Sequence, residues 1–317
     1  MKWFRKIYSF DYMGHKYWFF AISGTIIGIG LISLFVRGGG DPLHGLNYGL
    51  EFNPGTRVTV SFVKPATTGD VRGVLTQQGY GDAVVQQITG KNQFQVQIKQ
   101  VSSDQVQQVR NALDKRFTIA TQWNGQPDYS ASYVGATFGR MVITASTKAI
   151  VLALLLIMAY VWLRFAWKFA VGAIAAEFHD LLVVVGVYSL TGREVTTGTI
   201  AAVLTILGYS LYDTVIVFDR IRENAPHMSR IPYGDMVNRS IWQTLTRSIN
   251  TTLMTLIPVL CLFLFGGETL KDFAFALLVG VASGAYSSIF VASPITCLLK
   301  EREPQYRKLA ARARAAD

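Results

Sequence analysis

Six runs of about 20 mostly apolar residues decide what this chain can become, because a helix needs about that many to cross the hydrocarbon core of a bilayer. They cover residues 17–36, 141–163, 169–190, 196–218, 247–265 and 273–299. Composition agrees. Half of the residues are hydrophobic and only 16% are charged, against about 25% in a soluble globular chain. The first run follows a basic start (Lys2, Arg5, Lys6, Lys16). It is longer than the roughly 7–15 apolar residues of a secretory signal, and no small-x-small cleavage site follows. An uncleaved anchor is expected. Trp3, Phe4, Tyr8, Phe10 and Tyr12 precede it among basic residues, a mixture that suits a segment lying in the membrane interface.

The net charge is +10, which could point to nucleic acid. The distribution argues otherwise. With the N-terminus in the cytoplasm and the spans alternating, cytoplasmic segments carry sixteen Lys and Arg, and the two short outer loops carry only Arg193 and Lys271. That is the positive-inside pattern. Both termini are expected in the cytoplasm, and no nucleic acid is expected as a partner. Cys261 and Cys297 fall near opposite faces of the membrane, beyond the roughly 7 Å reach of a disulfide. Neither a disulfide nor a metal site is expected.

The expected fold class is an α-helical polytopic membrane protein with six transmembrane helices. A ferredoxin-like α+β extracytoplasmic domain lies between spans one and two. The boundaries are a cytoplasmic arm at 1–16, span one at 17–36, the outer domain at 37–139, spans two to six within 140–299, and a cytoplasmic tail at 300–317. In the outer domain "TRVTVSFV" alternates as a strand and "TTGDVRGVLTQQGY" reads as a helix with a Thr cap. "AVVQQITGKNQFQVQIKQ" reads as two strands around a Gly-Lys-Asn turn. "SSDQVQQVRNALDKRF" is a helix with a Ser cap, and "TIATQWN" can supply a last strand. The order is βαββαβ. With no cysteine and only His44 at its start, this domain reads as a binding or moving module rather than a catalytic one. Six spans with one large outer domain after the first is the layout of half of a resistance–nodulation–division transporter, in which sites form between two halves. A second half must come from another subunit or a second copy.

Asp213 is the carboxylate inside span four. Tyr209, Ser210 and Thr205 give it a hydroxyl-lined stripe, and Gly208 would allow a close helix approach. It can carry a proton, since burial and a nearby cation shift a carboxyl in opposite directions, or it can serve as an interhelical hydrogen bond only. Arg247, at the start of span five with Asn250 and Thr251 on its face, is the candidate cation. It could equally snorkel to the cytoplasm. Span three carries Glu177, His179 and Asp180. His179 and Asp180 project about 100° apart, so spacing alone does not make them one site. They read as a polar packing seam or as a branch of a proton or water path. Gly280 and Gly284, with Ser287 and Ser288, give span six a small-residue packing face. No nucleotide loop, nucleophile elbow or paired-carboxylate site is visible. No enzyme activity and no cofactor is expected, and energy must come from an ion gradient or a partner.

From about Gly45 to Lys300 the chain resembles the SecF family, membrane subunits that work with SecD beside the Sec translocase. "TIAAVLTILGYSLYDTVIVFDRIREN" is the most specific segment. "RSINTTLMTLIPVLCLFLFGGETLKDFAFALLVGVASGAYSSIFVASPI", "GLEFNPGT", "VGATFG" and "FHD" support it. It departs from the family's usual residues at Glu51, Pro54 and Ala136. The resemblance implies export driven by the proton-motive force, with Asp213 and Arg247 at the proton site beside an Asp from SecD. It also implies the SecYEG translocon and a translocating unfolded polypeptide as partners, with YajC a further candidate, and a location in the cell inner membrane. Two other readings stay open: a half-transporter for small molecules, and an assembly subunit without proton coupling.

Overall fold

The computed structural model describes residues 10–49, 51–52, 55–81, 83–88, 92–98, 101–122, 124–227, 231–307 and 309. It divides into two units, Met1–Asn47 with Thr147–Asp317, and Tyr48–Ser146. In chain order the elements are α1 (Lys16–Arg37), β1 (Gly55–Ser61), α2 (Thr68–Gln77), β2 (Val84–Gln87), β3 (Gln93–Ile98), α3 (Ser103–Phe117) and β4 (Tyr129–Val134). There follow α4 (Ala136–Arg164), α5 (Trp167–Thr191), α6 (Thr197–His227), α7 (Tyr233–Phe265), α8 (Glu268–Ser287) and α9 (Ser293–Glu301).

In the smaller unit, alternation along β1 and β3 turns Val58, Val60, Phe94, Val96 and Ile98 to one buried face. Val71 and Leu75 of α2 and Val109 and Leu113 of α3 cover that face. Both helices start at reciprocal caps: Thr67 with Asp70, and Ser102 with Gln105. Each such cap satisfies two otherwise orphaned backbone donors. The strand order is β2-β3-β1-β4, antiparallel throughout, with Val58 opposite both Val96 and Ala131. This is the expected plait with one correction. The last strand is Tyr129–Val134, not the "TIATQWN" segment. After α3, Thr118 turns the chain at φ 58° and Asp114 Oδ1 accepts from the Ile119 N–H. Among the described residues the segment then makes only isolated bridges, Phe62 to Ile119 and Thr121 to Pro127. β4 is an edge strand whose four central residues are exposed, so it carries no apolar alternation. Gly90 and Lys91 of the Gly-Lys-Asn turn, Leu50, Asn53 and Pro54 of the "GLEFNPGT" box, and the aromatic arm before Phe10 lie outside the described residues.

Among the described residues, six helical segments are long and apolar enough to span a membrane. α6 and α7, with 31 and 33 residues, are about 47 and 50 Å long, well beyond a hydrocarbon core of about 30 Å. The segment read as a cytoplasmic loop from 219 to 246 is therefore mostly helix. Ile221, Met236, Val237 and Ile241 bury one face of the two extensions. Asn224 Nδ2 donates to Ser240 Oγ at 2.8 Å and to Gln243 Oε1 at 2.7 Å. Window hydropathy stops at the first charges; amphipathic packing does not. Arg247 thus sits in mid-helix, not at a helix start. Tyr12 is buried against Trp242 and Phe290, so this end of the arm packs on its own helices rather than lying free in the interface. Past α8 the helix widens into a π turn, Ser288–Ala292. Pro294 has no N–H to close onto Phe290 O, and Ser293 Oγ bonds Ser288 O at 2.9 Å instead.

Glycines permit two close helix crossings. A Cβ on Gly30 of α1 would lie 2.7 Å from Gly186 Cα of α5, and one on Gly284 of α8 would lie 2.9 Å from Ser210 Cβ of α6. Gly208 does not mark such a crossing within this chain: nothing approaches its Cβ position within 4 Å. Its side of α6, with Thr205 and Tyr212, stays exposed.

Candidate functional site

The Gly284 crossing brings α6 against α8 with α5 beside them, and two carboxylates lie near this junction. Asp180 of α5 is fully buried and fully served. Ser283 Oγ donates to Oδ1 at 2.6 Å, and Ser210 Oγ and Ser287 Oγ donate to Oδ2 at 2.7 and 2.8 Å. His179 Nδ1 stands 3.1 Å from Oδ1. Three hydroxyls and a ring nitrogen fill the acceptor capacity of an ionised carboxylate. The network continues outward. His179 Nε2 is 3.1 Å from Ser23 Oγ, which donates to Tyr286 Oη at 3.3 Å, and Tyr286 donates to Phe19 O at 3.1 Å. The His179 ring lies stacked 5.8 Å from that of Tyr286. The dyad therefore ties α1, α5, α6 and α8 together. Although their Cα–Cβ bonds diverge, His179 and Asp180 form one site.

Asp213, one turn further along α6, is also buried but stands almost alone. Its Oδ1 accepts from Thr251 Oγ1 of α7 at 3.5 Å, at the limit of a hydrogen bond, and its Oδ2 has no partner. Ser248 Oγ and Thr252 Oγ1, buried on α7, also lack partners. Buried polar atoms are seldom left so. The expected hydroxyl stripe along α6 divides, because residues 100° apart meet different neighbours. Ser210 serves Asp180, Tyr209 donates to Thr251 O at 2.7 Å, and Thr205 bonds its own Ala201 O.

Arg247 lies on α7, and its charge is within electrostatic reach of the Asp213 carboxylate on α6. The guanidinium is nevertheless exposed and donates from Nη2 to Tyr212 Oη at 3.0 Å. Among the described residues no ion pair joins it to Asp213. Asn250 is exposed on α7. The Thr251 hydroxyl has one proton to give, and the backbone carbonyls of Arg247 and Ser248, each at 3.0 Å, compete for it with Asp213. Glu177 belongs to neither cluster. It is buried on α5 with both carboxyl oxygens unbonded. His179 and Asp180 lie in a polar seam packed inside the chain. Ser23, Ser283, Tyr286 and Tyr212 were not foreseen. Ser283 sits four residues before Ser287, so the small-residue face of span six held that signal.

Comparison with known proteins places the chain in a family. The family model described as protein export membrane protein SecD/SecF, C-terminal, matches residues 118–302. Protein translocase subunit SecF of Desulfurispirillum indicum is 36% identical over 314 residues, 96% of each chain. That of Streptomyces coelicolor is 35% identical over 97% of this chain and 81% of its own. A crystal structure of SecDF from Thermus, titled as a translocon-associated membrane protein, superposes with a TM-score of 0.81 at 34% identity. It covers 92% of this chain, which spans 39% of that longer one. A SecDF structure in a super-membrane-facing form gives 0.64 at 32% identity. By sequence, family model and fold together, the chain belongs to the SecF family of protein translocase subunits, multi-pass membrane proteins of the Sec export machinery.

Proposed function

We propose that the chain is the SecF half of a proton-driven export device. It uses the proton-motive force to assist translocation of an unfolded polypeptide, together with a SecD-like subunit beside a SecYEG-type channel, with YajC as a further candidate partner. It performs no enzymatic reaction. It sits in the cell inner membrane with both termini in the cytoplasm.

One observation carries the reading: Asp213 is buried with an oxygen that has no hydrogen-bond partner among the described residues, while Asp180 nearby is saturated. A saturated carboxylate holds helices together. An unsatisfied one opposite a mobile cation can gain and lose a proton. Arg247, parked on Tyr212, is that cation. The exposed side of α6 at Thr205, Gly208 and Tyr212 offers a close seat for a partner helix, which would bring its own carboxylate to Asp213. A small-molecule half-transporter would share the membrane layout but calls for a larger outer domain with a drug-sized cleft.

Asp213→Asn keeps size and hydrogen bonding but cannot cycle a proton. Expected is normal assembly with the SecD-like subunit and loss of the gradient-dependent part of export in inverted vesicles. Export at the wild-type rate under a full gradient would reduce Asp213 to packing. A reporter fused after Asp317 that is active only outside the cytoplasm should be silent. Strong activity would overturn the topology.

A further inference from the structure

Glu177 raises a question that proton coupling at Asp213 leaves untouched. It lies at mid-depth of α5, 1% exposed, and neither carboxyl oxygen has a hydrogen-bond partner. It lines a cavity of about 230 Å³ walled by Val151, Leu154, Leu155 and Met158 of α4 and by Ile174 and Phe178 of α5. The cavity exists because α4 stands apart: none of its most apolar 18 residues is buried within the chain. Asp180, one turn away, is committed to Ser210, Ser283 and Ser287. Lys148, the basic residue of α4 nearest the cavity along the helix, is exposed. Other walls are hydrocarbon.

A buried carboxyl group without a partner costs several kcal/mol in an apolar medium. Whatever its protonation state, at least one of its oxygens is an acceptor that calls for a donor. An apolar cavity of about 150 Å³ takes a benzene ring; this one has room for a ring and a short substituent.

We propose that the cavity between α4 and α5 is a binding site for a small lipophilic molecule, an aromatic or branched hydrocarbon bearing one amino or hydroxyl group that bonds Glu177. Entry is from the bilayer, along the open side of α4. The proposal does not depend on the proton role of Asp213, and its test needs no export assay.

The test uses the full chain in lipid nanodiscs with 4-(trifluoromethyl)benzylamine, followed by fluorine NMR. 1-Ethyl-4-(trifluoromethyl)benzene, of the same shape without the donor, reports plain partitioning. Expected is a saturable bound signal for the amine alone. Glu177→Leu, which removes an unsatisfied group and should fold, weakens it by at least about tenfold. Leu154→Trp, which fills the cavity, abolishes it. Equal, non-saturating signals from the two probes would overturn the site. So would wild-type affinity in Glu177→Leu, or a signal unmoved by Leu154→Trp.

Discussion

Ser210 donates its hydroxyl proton to Asp180 across the α5–α6 contact at 2.7 Å, one helical turn from Asp213. α6 thus meets one carboxylate and satisfies it while burying another that it does not satisfy. The two should answer the same substitution in opposite ways.

Asp180→Asn replaces two acceptor oxygens by one and sets an amide against hydroxyls already committed as donors. A loss of about 1–3 kcal/mol is expected, seen as a lower midpoint of thermal unfolding in detergent and a lower folded yield. Asp213→Asn should unfold as the wild type does, or slightly later, and lose only coupled export. An unaltered Asp180→Asn beside an unstable Asp213→Asn would mean that the roles are assigned the wrong way round.

The membrane helices were legible because apolar run length is a local property, and Asp213 because a charge interrupts such a run. Helix ends were less so. The extensions of α6 and α7 are stabilised by contacts such as Asn224 with Ser240, which join residues far apart in sequence. The dyad was half legible. His179 and Asp180 could be named, but their partners Ser23, Ser283 and Tyr286 come from α1 and α8, and serines in an apolar helix read as packing. β4 was missed because an edge strand of Ser, Ala and Tyr has no buried face to impose a period. Gly208 was taken for a crossing point, yet the same residue type marks both a crossing and a vacant seat.

That difference between glycines is testable. Gly30→Ala would set a methyl against backbone atoms of α5, which cannot rotate away. Overpacking of this kind costs about 1–3 kcal/mol, so a lower unfolding midpoint is expected. Gly208→Leu meets open space within the chain. Its unfolding should match the wild type, while recovery of the SecD-like subunit in affinity purification falls severalfold. Undiminished recovery would place the partner on another face.

The C-terminal end of α9 should respond to acid. Burial pushes the Glu303 carboxyl up, but hydrogen bonds from Lys168 and Lys300 and their charges outweigh it and hold it below its ordinary 4.5. A carboxyl held low when folded contributes stability that is full above its unfolded value and is lost as pH falls through the folded one. A nitroxide placed at Gln305 should therefore be immobile at neutral pH and gain mobility only below about pH 4.5. In Glu303→Gln it should be equally mobile at both. A wild-type spectrum without pH dependence would remove this clasp from the account.

Arg247 is the cation of the proposed coupling. Its guanidinium rests on Tyr212 Oη at 3.0 Å rather than on Asp213. If it swings between the two, the carboxylate is paired in one state and free to take a proton in the other. A proton crossing 100 mV releases about 2.3 kcal/mol, roughly 40-fold in an equilibrium, enough to bias two states of comparable energy. Arg247→Gln removes the cation and should abolish the gradient-dependent part of export without loss of assembly. Arg247→Lys keeps the charge but not the planar fork, and a partial defect is expected. Tyr212→Phe removes the resting place, so the guanidinium stays on Asp213, the proton is disfavoured, and coupled export should need a more acidic outer side. Measuring export rate against outer pH in vesicles separates the three. Wild-type rates in Arg247→Gln at full gradient would show that Arg247 merely reaches for the cytoplasm, and that Asp213 takes its cation from the partner or has none.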